Sequence, residues 1–158
     1  MGEVMQPSRV AIQGRHKDAV VLCIDDDELV LEVTRAILKK HGYLVLTATN
    51  GRHGLEIFRE NAVDLVLLDY DMPGIKGNEV AVEMRAFNRQ VPLVLHSGAA
   101  DIPELTIQLT DAFISKGSET RVMLATIADL ITKSRAGVAR NGVAHATSAA
   151  NPYVERAK

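Results

Sequence analysis

Five short runs of apolar residues punctuate this chain, and between them apolar residues recur at helical spacing. Val20-Val21-Leu22-Cys23-Ile24 is continuous and short, which predicts a strand buried on both faces. Leu65 to Leu68, opened by Asp64, has the same character, as do Leu93-Val94-Leu95 after Pro92 and Ala112-Phe113-Ile114. Tyr43 to Thr47 supplies one more strand, second in chain order. The first intervening helix carries Leu29, Val33, Ala36 and Ile37 and stops at Gly42. A second runs from Gly51 to Asn61, with Leu55, Phe58 and Ala62 on one face. Asn78 is placed to cap a third, with Val80, Met84 and Phe87. Asp101-Ile102-Pro103-Glu104 has a capping-box pattern and opens a short fourth helix over 102–109. Ser118 is placed to cap the last, with Met123, Ile127 and Leu130 inward.

Strand and helix therefore alternate five times, which predicts an α/β fold: a doubly wound five-stranded parallel sheet covered on both faces. In such sheets ligands bind at the carboxyl ends of the strands, where the strand order reverses. For the order 2-1-3-4-5 that point lies between the first and third strands, which end in Asp25-Asp26 and Asp69. Residues 1–17 show no period and read as an arm. The folded domain spans 18–136. From Gly137 onward the chain is rich in Ala, Gly, Ser and Asn and reads as a flexible tail, helical at most in part.

Composition narrows the class. An apolar fraction of 47% in 158 residues allows one sizeable core. Net charge is −2, so no global electrostatic case for nucleic acid exists, although the domain is acidic and both arms are basic. Cys23 is the only cysteine, which excludes an internal disulfide and reads as a buried, inert thiol. No apolar run is long enough to span a membrane, and Glu3, Pro7, Arg9 and Arg15 occupy the stretch where a signal peptide would be apolar. The cytoplasm is the expected location.

The chemistry gathers at the strand ends. The first strand delivers Asp25 and Asp26, the third Asp69, the fourth Ser97 and the fifth Lys116. Clustered carboxylates repel unless a cation sits among them. Oxygen donors without Cys or His favour a hard ion, Mg²⁺ first. Lys116 is expected to pair with Asp69 when the site is empty, or with a phosphoryl oxygen. Ser97 offers a hydroxyl to the same oxygen, and a carboxylate such as Asp69 can serve as nucleophile to form an aspartyl phosphate.

This set resembles the receiver domain of two-component response regulators, of the stand-alone type, over about residues 19–134. Ile24-Asp25-Asp26 looks like that family's acidic pair, and Leu67-Leu68-Asp69-Tyr70-Asp71-Met72-Pro73-Gly74 like its phosphoacceptor segment. Leu95-His96-Ser97-Gly98 and Phe113-Ile114-Ser115-Lys116 match its Ser/Thr and lysine segments. The resemblance implies a flavodoxin-like fold and phosphorelay signalling. It makes Asp69 the phosphoacceptor, served by a sensor histidine kinase or phosphotransfer protein, with catalysis limited to the chain's own phosphoryl transfer and dephosphorylation. It implies Mg²⁺ bound by Asp26 and Asp69 directly, by Asp25 through water and by the Asp71 backbone carbonyl. Ser97 and Phe113 would form the switch, and an unidentified downstream protein would read it. His96 beside the site is given no role. With no second domain expected after residue 136, direct DNA binding and membrane contact are not expected; a monomer or weak dimer is. Two departures stand out: Gly117 follows Lys116 where the family commonly has Pro, and the fourth helix is shortened.

Two other functions compete. Asp69-x-Asp71 after an apolar strand resembles the nucleophile motif of haloacid-dehalogenase-type phosphatases, but there the acidic pair follows the nucleophile, and here it precedes it. A receiver-shaped binding module not switched by phosphate would share the fold and differ in whether Asp69 matters to partner affinity.

Overall fold

The three most deeply buried strands occupy the centre of the molecule, and two more exposed strands form its edges. In the computed structural model, which describes residues 16–147, the elements run β1 Val20–Ile24, α1 Glu28–Lys40, β2 Leu44–Ala48, α2 Gly51–Glu60, β3 Leu65–Leu68, α3 Gly77–Phe87, β4 Leu93–Ser97, α4 Glu104–Leu109, β5 Ala112–Ser115 and α5 Thr120–Thr147. The five strands form one parallel sheet in the order β2-β1-β3-β4-β5. β1, β3 and β4 are buried nearly throughout, whereas β2 and β5 are partly open to solvent. This is what continuous apolar runs require: a residue on either face of a central strand meets a helix.

The alternation of side chains divides the core in two. Leu22, Ile24, Val66 and Leu68 face α2 and α3, with Leu55, Phe58, Val80 and Met84 packed on them. Val21, Cys23, Leu65, Leu67 and Val94 face α1 and α5, against Leu31, Leu38, Met123, Ile127 and Ile131. Leu130, expected inward, is only half-buried against this second layer.

Several local expectations are corrected. The buried stripe of α1 is Leu31, Thr34 and Leu38. Leu29 and Val33 are 70% and 52% exposed, Ala36 is exposed and Ile37 is half-buried. Both stripes have helical spacing, so periodicity alone does not choose between them. The phase is set by the turn entering the helix: Asp25 Oδ1 accepts from Asp27 N–H at 3.0 Å, and Asp27 Oδ1 accepts from Leu29 N–H at 2.9 Å and Val30 N–H at 3.3 Å. Asp27 is thus the N-cap, and its geometry fixes which side of α1 meets the sheet.

The predicted caps of α3, α4 and α5 also shift. Lys76, not Asn78, precedes α3, and Glu79 reaches back to the Lys76 N–H at 3.4 Å. Asp101 lies outside α4, whose N-cap position is Pro103. With Asp101 as cap, the second helical residue would be Pro103, which has no N–H to donate. α5 begins at Thr120, beyond Ser118, whose N–H donates to the Ser115 carbonyl. Ala62 falls outside α2 and is exposed, and Phe87 lies largely exposed, edge-on to Phe58 at 6.0 Å. α4 has six residues, two fewer than the 102–109 expected.

α5 continues as a helix past residue 136, through Thr147, so the tail is helical in its first part; at 28 residues the helix is about 42 Å long. Arg135 and Ser134 tie its middle to the sheet's lower edge, through Asp64 at 3.2 Å and the Gln90 carbonyl at 2.9 Å. The arm over 1–15 and the tail beyond 147 lie outside the described residues. Among those described, no helix is long and apolar enough to cross a membrane.

The choice of α1 face is open to measurement. Leu38→Ala should cost about 2–5 kcal/mol in urea unfolding, whereas Val33→Ala should cost about 0.5 kcal/mol or less. Equal losses would mean that α1 packs through the other stripe.

Candidate functional site

The parallel pairing of β1 with β3 puts Ile24 opposite Leu68, so the next residues, Asp25 and Asp69, emerge side by side. Backbone bonds hold both in place: Asp25 N–H donates to Ala48 O at 3.1 Å and Asp69 N–H to Ile24 O at 2.9 Å. Both carboxylates are buried, 3% and 4% exposed. Asp26 is exposed beside them. One carboxylate oxygen from each of Asp25, Asp26 and Asp69 lies within 4.8 Å of the others. That donor set, all oxygen and triply anionic, fits a hard divalent cation. Asp71 is also exposed, two residues past Asp69 on the following loop.

Lys116 crosses from β5 to this cluster. Its own N–H donates to the Ser97 carbonyl at 3.1 Å, which fixes the base of the side chain. Its Nζ lies 2.6 Å from Asp25 Oδ2 and 3.4 Å from Asp69 Oδ2. The expected Lys116–Asp69 pair therefore exists, but the closer partner is Asp25. The ammonium bridges two adjacent carboxylates rather than matching one, because the register places both within its reach.

One cation does not balance this cluster. Burial, and then the neighbouring Asp25 charge, push the Asp69 carboxyl above its ordinary value of 3.8, against the pull of Lys116. Burial by itself would lower Lys116, but the hydrogen bond and charge of Asp25 together with those of Asp69 outweigh it and hold its ammonium above 10.5. Cys23, beneath Asp25, is pushed up to about 12 by burial and then by the Asp25 charge, so its thiol is inert at neutral pH.

The remaining predicted residues surround this centre. Ser97 is buried at the end of β4, its Oγ accepting from the Ala99 N–H at 3.2 Å. Phe113 on β5 is 46% exposed and directed outward. His96 lines a groove of about 330 Å³ between α1 and α5, together with Leu29, Val33, Ile37 and Lys116. Burial and then Lys116 lower its pKa below 6.5, with Asp25 opposing, so its ring is neutral at pH 7. Gly117 N–H donates to Ser115 Oγ at 3.3 Å, a bond that Pro at this position could not make. The peptide bonds of the described residues are all trans.

Gly77 was missed by the sequence analysis. The loop after Asp69 turns at Gly74, with φ of +83°, and returns so that Gly77 N–H donates to Tyr70 O at 3.0 Å. A Cβ at Gly77 would lie 2.5 Å from the Asp69 carbonyl oxygen and 2.8 Å from Tyr70 Cα. Helix α3 thus begins against the backbone of the acidic residue, and only glycine allows that approach. The signal was present as a second glycine three residues after Gly74, but it reads equally well as a helix start.

The strained charge balance sets the behaviour without metal. In the unfolded chain Asp69 ionises near its ordinary value, and in the folded protein only at higher pH. The stability that the neutral carboxyl contributes is therefore lost as pH rises through the folded value. Asp69→Asn should raise the Tm of the metal-free protein by a few degrees at pH 7. The gain should shrink as pH falls toward the ordinary carboxylate range. Thermal melts with and without Mg²⁺ check this, and an unchanged or lower Tm at pH 7 would count against the repulsive cluster.

Comparisons with known proteins place this geometry in context. A family model described as the response regulator receiver domain matches residues 21–133. The transcriptional regulatory protein CseB of Streptomyces avermitilis is 32% identical over 110 residues, covering 68% of this chain and 46% of CseB. The chain thus spans less than half the length of that relative. Among solved structures, the response regulator TrrA of Thermotoga maritima, in complex with Mg²⁺-BeF, has a TM-score of 0.68 and 29% identity, covering 71% of this chain and 98% of that one. A structure of histidine kinase ThkA in complex with TrrA has a TM-score of 0.66 and 28% identity, covering 71% of this chain and 97% of the other.

Proposed function

The chain belongs to the response regulator receiver family, and from that premise we propose that it is a phosphorelay receiver in which Asp69 accepts a phosphoryl group from a phosphohistidine and a partner protein reads the change. The observation that carries this reading is the side-by-side placement of Asp25 and Asp69 under a shared lysine. A structural ion pair needs one acid; here a second buried acid and a third exposed one share the same few ångströms. The excess negative charge is costly unless a cation enters.

Each residue has a distinct task. An Asp69 carboxylate oxygen attacks phosphorus, forming the O–P bond as the N–P bond to the donor imidazole breaks. Lys116 is already held within reach of Asp69 and pairs with an oxygen of the transferred group, where its charge counters the charge gathering there. Ser97 donates its hydroxyl hydrogen to a phosphoryl oxygen while its Oγ goes on accepting from the Ala99 N–H, which draws the segment after β4 inward. Phe113, now outward, is free to take the space so created. Mg²⁺, held by Asp26 and Asp69, by Asp25 through water and by the Asp71 carbonyl, would neutralise charge at the reacting oxygens. TrrA, bound to Mg²⁺-BeF in one structure and to the kinase ThkA in another, supports the carry-over of cation and donor class.

In this reading the chain catalyses only its own phosphoryl transfer and dephosphorylation. It works in the cytoplasm with a sensor histidine kinase or phosphotransfer protein and with an unidentified downstream protein, as a monomer or weak dimer.

Intact-mass measurement after incubation with Mg²⁺ and acetyl phosphate is the direct test. Wild type should gain one phosphoryl group. Asp69→Asn should gain none, and chelating Mg²⁺ should abolish the adduct. A phosphoryl adduct of equal yield on Asp69→Asn would move the acceptor elsewhere. No adduct on wild type, where a control receiver reacts, would sink the proposal.

A further inference from the structure

The short helix α4 is held very differently at its two ends. At its C-terminal end, the Arg85 guanidinium from α3 uses four of its five N–H donors. Nε donates to Leu109 O at 2.9 Å, Nη1 to Arg89 O at 3.1 Å and to Val91 O at 3.0 Å, and Nη2 to Asp111 Oδ2 at 2.6 Å. Asp111 is in turn fastened to the start of β4: its Oδ2 accepts from Leu93 N–H at 2.8 Å and its own N–H donates to Leu93 O at 2.8 Å. The Arg85 side chain is 17% exposed and Asp111 40%, so the bonds to Leu109 O and Val91 O are the better shielded and the ion pair lies at the surface.

The N-terminal end has nothing comparable. Pro103 provides no side-chain cap, and the first turn is closed by Thr106 and Ile107 N–H groups on the Pro103 carbonyl, at 2.9 and 3.3 Å. Among the described residues, the segment from Gly98 to Ile102 is tethered by one hydrogen bond, that of Ala99 N–H to Ser97 Oγ. The same Ser97 is the hydroxyl assigned above to the phosphoryl group.

We infer that Arg85 is a positioning residue that pins the C-terminal end of α4, so that phosphorylation at Asp69 swings α4 from its Ser97-linked end about a fixed pivot at Leu109–Asp111. A helix of six residues, about 9 Å long, is too short to bend. A pull at one end must either tilt it about the other end or displace it whole. The Arg85 bonds select tilting, and they make Glu104 and Leu105 the residues that travel, with Leu105 already 69% exposed. This role rests on Asp69 being the phosphoacceptor.

Four amides read the two ends separately: Thr106 and Ile107 at the moving end, Asp111 and Leu93 at the pivot. Their hydrogen exchange, resolved by NMR, is to be measured with Mg²⁺ alone and with Mg²⁺ and beryllofluoride, whose binding is followed by ¹⁹F NMR. In wild type, beryllofluoride should change exchange at Thr106 and Ile107 and leave Asp111 and Leu93 unaltered. In Arg85→Ala, Asp111 and Leu93 should exchange about tenfold faster, and the beryllofluoride effect at Thr106 and Ile107 should shrink. Arg85→Lys, which keeps a charge for Asp111 but cannot span the three carbonyls, should behave like Arg85→Ala and serves if the alanine variant does not fold. If beryllofluoride binds and wild-type Asp111 and Leu93 change as much as Thr106, the pivot is overturned while the phosphoacceptor stands. If both variants keep the full wild-type response, Arg85 is not the positioning residue. If beryllofluoride does not bind wild type at all, both readings fall together.

Discussion

Two carboxylates forced together at the ends of neighbouring central strands are the constraint on which this molecule turns. The pairing of β1 with β3 is dictated by burial of Leu22, Ile24, Val66 and Leu68, and the acids come with it. Asp25 and Asp69 cannot separate without breaking the register, and a one-residue slip would send every side chain of the slipped strand to the wrong face. Sheet stability thus holds the charges in an unfavourable arrangement. Lys116 answers part of that charge. The remainder favours a cation among the three carboxylates.

The same frame explains why its departures from the common receiver pattern leave the centre intact. Gly117 replaces the usual Pro, but Lys116 is anchored by its own N–H on the Ser97 carbonyl, and Gly117 bonds Ser115 Oγ instead. The short α4 removes length from one output element, yet its C-terminal end is clamped through Arg85 and Asp111 to the base of β4. What distinguishes this chain therefore lies around the acidic centre and not in it. Gly77 shows how tightly the two are joined, because the start of α3 lies on the Asp69 backbone itself.

Much of this was legible in one dimension because buried parallel strands leave a strong mark. Val20–Ile24 and Leu65–Leu68 are apolar on both faces, so each strand and its acidic terminus could be placed from the run alone. The errors fall where two patterns compete. α1 carries two apolar stripes of equal spacing, and the turn made by Asp25 and Asp27 selects Leu31 and Leu38 over Leu29 and Val33. Asn78, Asp101 and Ser118 are all suitable caps by residue type, but close packing at Gly77, the missing N–H of Pro103 and the turn closed on Ser115 moved each helix start. The stretch after residue 136 mixes Ala, a strong helix former, with Gly, Asn, Val and Thr, which are weak ones, and its first part is helical as the continuation of a helix already nucleated by packing.

By itself, then, the sequence determined the alternation of strands and helices, the burial of β1, β3 and β4, and the identity of the residues at their ends, because hydrophobic period and strand termination are local properties. Tertiary structure alone decided that Lys116 sits nearer Asp25 than Asp69, that Gly77 must be glycine, which face of α1 is buried and that Arg85 grips the end of α4. The lysine and arginine contacts join residues far apart in the chain, while the Gly77 approach and the Asp25–Asp27 turn depend on how the chain leaves each strand end, and all are set only when the sheet closes its register.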